Sequence, residues 1–237
     1  MLGEEAFERI TRSFVMVVGL GAVGSYAVEG LARAGVGRLR VVDFDKVALS
    51  NINRQLYALE STLGRPKADV ARERILDINP ECRVEALKEF VDSETVRDLI
   101  ADRPDLVIDA IDSLNPKTEL VAAVRTAGIP LISCLGAALR SDPTCVRIAP
   151  LEQVEGCPLG SKLRKRLRRR GVPMDFPCVY SVEPLPSPLP AIQPPEGAEA
   201  ESGRGRMRST LGSLPTITGI FGLVAANYAV RVLSDRK

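Results

Sequence analysis

Residues 13–45 read SFVMVVGLGAVGSYAVEGLARAGVGRLRVVDFD, an order that predicts a strand, a glycine turn, a helix and a second strand. The apolar residues Phe14 to Val18 form the first strand, and Leu39 to Val42 form the second. Asp43 ends that second strand, about 20 residues past the turn, where an acid can bind ribose hydroxyls. The stretch therefore predicts a nucleotide site where a strand turns into a helix.

The glycines of this turn have separable roles. Gly19 makes the tight turn, Gly21 lets the backbone (with its neighbour Ala22) approach a phosphate, and Gly24 lets the helix pack closely on the strand. The helix N-terminus offers unpaired N–H groups and a positive dipole end, which stabilise an anion. A glycine turn alone is a weak signal, but strand, helix and acid in register make it a specific one.

The amino-acid composition excludes several kinds of catalytic and metal site but does not indicate a binding partner. The 237 residues include 32 basic and 30 acidic side chains, so the overall charge favours no partner. There is no histidine, which excludes a Ser-His-Asp triad, a histidine-ligated metal and a histidine base. The five cysteines contain no CxxC pair, which argues against a structural zinc site and a disulfide framework. A polar, acidic start unlike a signal peptide predicts a reduced, cytoplasmic protein.

Strands alternate with helices along the first two thirds of the chain, so we expect an α/β fold with a Rossmann-like, mostly parallel sheet covered by helices on both faces. A few antiparallel strands continue it. We predict one domain over 1–237, in which 13–136 bind the nucleotide and 137–237 extend the sheet. The predicted helices lie at 4–12, 66–79, 93–101, 116–127, 159–171 and 211–233, and the strands after the first two at 83–87, 105–112, 130–136, 144–150 and 178–184.

The C-terminal part contains three further features. Helix 159–171 carries seven cations between leucines spaced four apart, a density that favours nucleic acid over a merely solvated face. The seven are Lys162, Arg164, Lys165, Arg166, Arg168, Arg169 and Arg170. Residues 184–206 are rich in Pro, Gly and Glu and predict a flexible loop. The apolar helix 211–233 contains Gly, Pro and Thr, so we expect it to pack on the sheet or a dimer partner rather than to enter a membrane.

Two segments after Asp45 offer groups for phosphates. In SNINRQ (50–55), Arg54 has a planar fork that can bind phosphate oxygens, with Asn51 and Gln55 as neutral donors. A solvated surface arginine is the alternative. In GRPK (64–67), Lys67 lies in a first helical turn, where it is mildly unfavourable unless a phosphate offsets the helix dipole.

The segment DAIDS (109–113) ends a buried strand at the edge of the sheet where ligands of open α/β folds bind. Asp109 can be a helix cap or a sheet-end residue. Asp112 is better placed to hold Mg²⁺ beside nucleotide phosphates, directly or through water. A helix cap at Asp112 or Ser113 is the alternative.

Together these motifs resemble one known family. GLGAVGS (19–25), DFD (43–45), SNINRQ (50–55), GRPKA (64–68), INPE (78–81) and DAIDS (109–113) follow one another as in the ThiF/MoeB/HesA adenylating proteins, relatives of ubiquitin-activating enzymes. The resemblance implies that Asp43 binds ribose, that Arg54 and Lys67 bind the phosphates of ATP, and that Asp112 binds Mg²⁺. Asp45, Asn51 and Gln55 complete the site. The implied reaction is attack of a carboxylate on the α-phosphate, which releases pyrophosphate and leaves an acyl-adenylate.

Within this family, the sequences of four segments favour one branch. IDAIDSLNPKTEL (108–120), IPLISCLGAALRSDPT (129–144), CVYSVEPLP (178–186) and GSLPTITGIFGLVAA (212–226) are similar to the tRNA threonylcarbamoyladenosine dehydratases. That branch implies a tRNA substrate, a homodimer, and in some members a cysteine desulfurase or sulfur acceptor as partner. Zinc-binding members that adenylate a Gly-Gly sulfur carrier have two CxxC pairs, which this chain lacks.

The sequence is also compatible with three other functions. They are adenylation of a sulfur-carrier protein, an NAD-dependent oxidoreductase that uses only the glycine turn and Asp43, and an inactive binding module. The family implies an N-terminal arginine that reaches the partner subunit's ATP site, a part that Arg9 or Arg12 could take. Leu135, Ala138, Leu139 and Arg140 make the stretch after Cys134 less glycine-rich than expected and predict altered substrate access. Cys157 and Cys178 we expect to be incidental thiols.

Overall fold

The computed structural model describes residues 2–186 and 211–235. Its strands are β1 (Phe14–Val18), β2 (Arg38–Val42), β3 (Arg83–Leu87), β4 (Leu106–Asp109), β5 (Leu131–Cys134), β6 (Val146–Pro150) and β7 (Pro177–Ser181). Its α-helices are α1 (Glu4–Arg12), α2 (Gly24–Arg33), α3 (Lys67–Ile78), α4 (Thr95–Leu99), α5 (Leu114–Thr126), α6 (Pro158–Arg169) and α7 (Pro215–Ser234). Most of the predicted loop 184–206 lies outside the described residues.

The strands form a single seven-stranded sheet in the order β3-β2-β1-β4-β5-β7-β6. All neighbours are parallel except β6, which pairs antiparallel with β7. The chain leaves β1 toward β2 on one side and returns to β4 on the other. The carboxyl ends of β1 and β4 therefore flank the crevice where open α/β sheets bind ligands.

Helices cover both faces of this sheet. Along β1, Val15 and Val17 pack into the core beneath α2, α3 and α7, whereas Met16 and Val18 pack into the core beneath α4, α5 and α6. This alternation follows from the two-residue period of a strand, and burial on both faces explains why β1 is apolar throughout.

Helix α7 lies in the first of these layers and packs on α2. A Cβ on Gly222 would lie 2.3 Å from the carbonyl oxygen of Val23, and one on Gly30 would lie 2.9 Å from Ala226, so small residues allow the close approach. Within the described ranges α7 is the one helix long and apolar enough to cross a membrane, and half of its most apolar window is buried in this chain. It begins at Pro215, a first-turn residue, rather than at 211.

Candidate functional site

A cavity of about 820 Å³ opens at the carboxyl ends of the parallel strands. The Gly19–Gly24 turn after β1, the 43–45 segment after β2, and the 110–114 segment after β4 form one end of it. The segment after β5 and the first turns of α6 and α7 form the other end. Parallel strand ends meet at one edge of the sheet, so the topology alone brings these distant segments together.

The cavity contains ten of the eleven predicted nucleotide residues. They are Gly19, Gly21, Ala22, Asp43, Asp45, Asn51, Arg54, Gln55, Lys67 and Asp112. The eleventh, Gly24, lies behind the turn. A Cβ there would be 1.8 Å from the carbonyl oxygen of Gly19, so close packing is its role.

The other two glycines differ in what surrounds them. Gly19 has a φ of +88°, and a Cβ on it would lie 2.9 Å from the backbone of Ala110. A Cβ on Gly21 would meet nothing closer than Gln55, at 3.6 Å. Gly19 therefore shapes the turn, while Gly21 leaves open space on the cavity side, as the approach of a phosphate requires.

Asp43 ties the second strand to the glycine turn. Its carboxylate accepts hydrogen bonds from the N–H groups of Leu20 (2.7 Å) and Asp45 (2.9 Å). Burial raises the pKa of Asp43, and the charge of Lys67 and the two backbone hydrogen bonds oppose that rise. The Asp43 carboxylate is therefore fixed in place by the backbone at the edge of the cavity.

The basic residues of the site are arranged differently. Lys67 is buried at the start of α3, and its Nζ lies 3.2 Å from Asp45 Oδ2. Arg54 folds back on its own loop, where Nη1 donates to the carbonyl of Ser50 and to Asn53 Oδ1, both at 2.8 Å. Lys67 is thus already directed to the cavity, whereas Arg54 needs a side-chain rotation to release its fork.

Asp112 is exposed in the cavity, and its Oδ1 accepts a 3.3 Å hydrogen bond from the Ser113 hydroxyl. Ser113 is the N-cap residue of α5 but its side chain makes no capping hydrogen bond. Among residues 2–186 and 211–235, no three acidic, His or Cys side chains are arranged to hold a metal. One carboxylate fits Mg²⁺ only where phosphate oxygens supply further ligands.

The sequence did not predict a buried polar cluster next to the cavity, which is formed by Asp109, Lys117 and Ser133. Lys117 Nζ lies 2.6 Å from Asp109 Oδ2, 2.9 Å from the carbonyl of Cys134 and 3.2 Å from Ser133 Oγ. Asp109 also accepts from Ser133 Oγ and from the N–H of Ile111. Asp109 is thus a sheet-end residue, as one of its two readings proposed, and its partner eight residues later was the signal that could have exposed it.

The apolar part of the cavity was also missed. Phe44 and Phe90 line it as an edge-to-face pair with ring centroids 5.0 Å apart, beside Val91 and Ile111. These residues follow the ends of β2, β3 and β4. Their position directly after predicted strands was the signal that could have identified them.

The stretch after Cys134 is less obstructive than its sequence suggests. Leu135 and Ala138 line the cavity with Gly136 and Ala137 between them. Arg140 instead is almost fully buried, and its Nη2 donates to the carbonyl of Gly156 at 2.8 Å. Leu139 adopts a left-handed conformation, with φ +59°, and does not line the cavity.

The thiols are mostly inaccessible. Four of the five cysteines are buried, and burial raises the pKa of Cys134 to about 12 and also raises the pKa of Cys178. Cys157 caps α6 by accepting the N–H of Gly160. A neutral buried thiol is a poor nucleophile.

The N-terminal arginines are distant from the cavity within this chain. Arg9 donates to the carbonyl of Ser234 at the C-terminal end of α7, whereas the N-terminal end of α7 lines the cavity. Arg12 pairs with Glu8 on its own helix.

The ThiF family model matches residues 1–237. The chain belongs to the ThiF family. It is 39% identical over 234 residues to the tRNA threonylcarbamoyladenosine dehydratase of Bacillus subtilis (strain 168), a match that covers 97% of this chain and 90% of that protein. The same enzyme of Escherichia coli (strain K12) is 38% identical over 240 residues.

Solved structures of one similar protein agree with the fold. The E. coli dehydratase TcdA in complex with ATP superposes with a TM-score of 0.85 at 35% identity, covering 98% of this chain and 89% of that one. Its complex with AMP gives a TM-score of 0.84 at 36% identity.

Proposed function

We propose that the protein uses ATP to dehydrate and cyclise N6-threonylcarbamoyladenosine in tRNA. The observation that carries this proposal is the extent of the similarity. The dehydratase match covers 97% of this chain and 90% of the B. subtilis enzyme. The molybdopterin-synthase adenylyltransferase of Salmonella typhimurium, 39% identical, matches only 58% of the chain and 54% of its own length.

The proposed reaction has two stages. The carboxylate of the threonylcarbamoyl group attacks the α-phosphorus of ATP, and the bond to pyrophosphate breaks. A nitrogen of the same group then attacks the activated carbonyl carbon, closes a ring, loses its proton and releases AMP. The oxygen lost from the substrate leaves with AMP, which is how ATP cleavage supplies the dehydration.

The residues of the cavity fit roles in the first stage. We assign the N–H groups of the Gly19–Gly24 turn and the cation of Lys67 to phosphate oxygens, and Asp43 to ribose hydroxyls, with Asp45 beside it. Arg54 adds a bidentate cation once it leaves Ser50. Fixed positive groups stabilise the charge that develops as pyrophosphate departs, and none of these roles needs a histidine.

Asp112 is the residue we propose to hold Mg²⁺ with ATP. Its carboxylate is exposed on the cavity side of the β4–α5 connection. A bound Mg²⁺ would supply Lewis-acid stabilisation of the phosphates, while Asp112 orients it.

The rival functions explain less of the chain. Adenylation of a Gly-Gly sulfur carrier accounts for the nucleotide site but not for the similarity of the C-terminal part. An NAD-dependent oxidoreductase leaves Arg54, Lys67 and Asp112 without a role. Failure to hydrolyse ATP despite tight nucleotide binding would favour an inactive binding module.

We also propose that the protein acts as a cytoplasmic homodimer with a cysteine desulfurase or sulfur acceptor as a partner, as the family resemblance implies. The segment before α3 exposes Leu49, Leu59 and Leu63, apolar side chains of a kind that subunit interfaces cover. Multi-angle light scattering tests this assembly. A monomer at micromolar concentration would contradict it.

The deciding experiment is ATP conversion to AMP with threonylcarbamoyl-bearing tRNA, unmodified transcript, or no RNA. We expect turnover and a product lighter by one water only with the modified tRNA, and loss of both in Asp112→Ala and Arg54→Ala. AMP formation that ignores tRNA but requires a Gly-Gly carrier protein would overturn the proposal in favour of the sulfur-carrier reading.

A further inference from the structure

The cations of α6 divide into two sets. Arg164 donates to the backbone carbonyls at the end of the preceding segment, including that of Val154 at 2.7 Å. Arg170 makes two hydrogen bonds to Glu119 on α5, which raise the pKa of Arg170, and Arg166 is bonded to Asn115 Oδ1. These three side chains attach α6 to the rest of the protein.

The second set faces solvent and consists of Lys162, Lys165, Arg168 and Arg169. Within 2–186 and 211–235, none of the four makes an ion pair or a side-chain hydrogen bond to another described residue. Leu163 and Leu167 on the opposite face are fully buried, so packing fixes which way the four cations point. We call these four residues the basic stripe.

The basic stripe starts at the cavity. Lys162 lines the cavity mouth, beside Leu159. Lys165 and Arg169 follow at i+3 and i+7, on the same side of the helix, with Arg168 next to them. At 1.5 Å per residue the stripe runs about 10 Å outward from the mouth.

We propose that the basic stripe binds the RNA backbone next to the reacting nucleoside, and that Lys162 binds the carboxylate of that nucleoside as it enters the cavity. This inference rests on the proposed function. Lys165, Arg168 and Arg169 neutralise backbone phosphates outside the cavity. Lys162 reduces the repulsion between a carboxylate and the phosphates of ATP, two anions that must meet for the reaction to occur.

The test measures binding of tRNA without ATP as a function of salt. Arg168→Ala/Arg169→Ala is compared with Arg72→Ala/Arg97→Ala, which also removes two exposed arginines, but from α3 and α4. Each lost phosphate contact on single-stranded RNA makes the negative slope of log K against log salt shallower by about 0.7, so we expect a slope shallower by about 1.4 in the Arg168→Ala/Arg169→Ala variant only. Equal slopes in the two variants, or a wild-type protein that does not bind tRNA at low salt, would contradict binding of RNA by the basic stripe.

Lys162 has its own readout. We expect the wild-type protein to bind threonylcarbamoyl-bearing tRNA about tenfold more tightly than unmodified transcript, the order of one charge-assisted hydrogen bond. Lys162→Ala should lose this preference and Lys162→Arg should restore most of it. A preference that survives in Lys162→Ala would refute the role of Lys162.

These binding results are independent of turnover. A protein that binds tRNA through the basic stripe and discriminates through Lys162, yet forms no AMP with modified tRNA, would refute the proposed function and keep this inference. Normal turnover together with unchanged tRNA binding in every stripe variant would refute this inference and keep the proposed function.

Discussion

Lys117 Nζ lies 2.6 Å from Asp109 Oδ2, and neither side chain is exposed to solvent. The ammonium group also donates to Ser133 Oγ and the carbonyl of Cys134, so its three protons are all used. The pair joins the ends of β4 and β5 to α5. Asp109 also accepts a hydrogen bond from the N–H of Ile111. Ile111 and Cys134 both line the cavity.

Removing one member of this pair should destabilise the fold strongly. Lys117→Met leaves the Asp109 charge buried and unpaired, and we expect the free energy of unfolding to fall by about 3–5 kcal/mol. Asp109→Asn/Lys117→Met removes both charges while Asn still accepts from Ile111, and should recover at least half of the loss. Urea unfolding measures both variants, and equal stability of the two would contradict a buried charge as the cause.

The glycines of the turn should separate stability from binding. Gly24→Ala places a methyl group against the Gly19 carbonyl, so we expect about 1–3 kcal/mol of destabilisation together with weaker ATP binding. Gly21→Ala meets no such obstacle and should weaken ATP binding with little change in stability. Gly212→Ala, which enters open space, is the control, and calorimetry with thermal unfolding measures all three. ATP affinity unaffected by Gly21→Ala would contradict a phosphate at that position.

Lys67 should matter both for ATP binding and for folding. Lys67→Met keeps the buried stem but removes the cation that pairs with the half-exposed Asp45 and opposes the raised pKa of the buried Asp43, so we expect the free energy of unfolding to fall by about 1–3 kcal/mol. Loss of a charge-assisted contact to phosphate should raise the KM for ATP about tenfold or more. Lys88→Met removes a comparable pair, with Asp69, outside the cavity and should leave KM unchanged. Equal KM values in the two variants would exclude Lys67 from the site.

A charge network between strands β2 and β3 should make the stability of the fold depend on pH. Burial opposes ionisation of Glu85, but hydrogen bonds from Arg40 and Arg38 lower its pKa below the ordinary 4.5. The network therefore stabilises the fold above pH 4.5, and this stabilisation is lost as the pH falls through the lowered pKa.

Glu85→Gln should thus reduce the free energy of unfolding at pH 7 by about 1–2 kcal/mol. The difference from the wild-type protein should shrink below pH 4.5. Urea unfolding at pH 7 and pH 3.5 measures it. A difference of the same size at both values would show that lost packing, and not ionisation, explains the variant.

The sequence by itself determined most of the fold. The apolar run of β1, the glycine turn and Asp43 are local patterns, and strand β3 from Arg83 to Leu87 begins and ends where predicted. Period and turn chemistry operate over a few neighbouring residues, so these elements are readable without a partner. That Gly19, Asp43 and Asp112 line one cavity could be predicted from the sequence, because each follows the end of a parallel strand and parallel strand ends share one edge of the sheet.

Only the tertiary structure decided which polar side chains are free. Sequence treats the seven cations of α6 alike, yet Arg164, Arg166 and Arg170 are bonded within the chain, and Arg170 meets Glu119, 51 residues away. The sequence of helix α5 gives no sign that Lys117 is buried. Its burial arises because α5 packs against the ends of β4 and β5. Side-chain pairing across elements depends on distances that no local pattern encodes. The roles of the cations of α6 and of the Asp109–Lys117 pair could therefore be interpreted only from the tertiary structure.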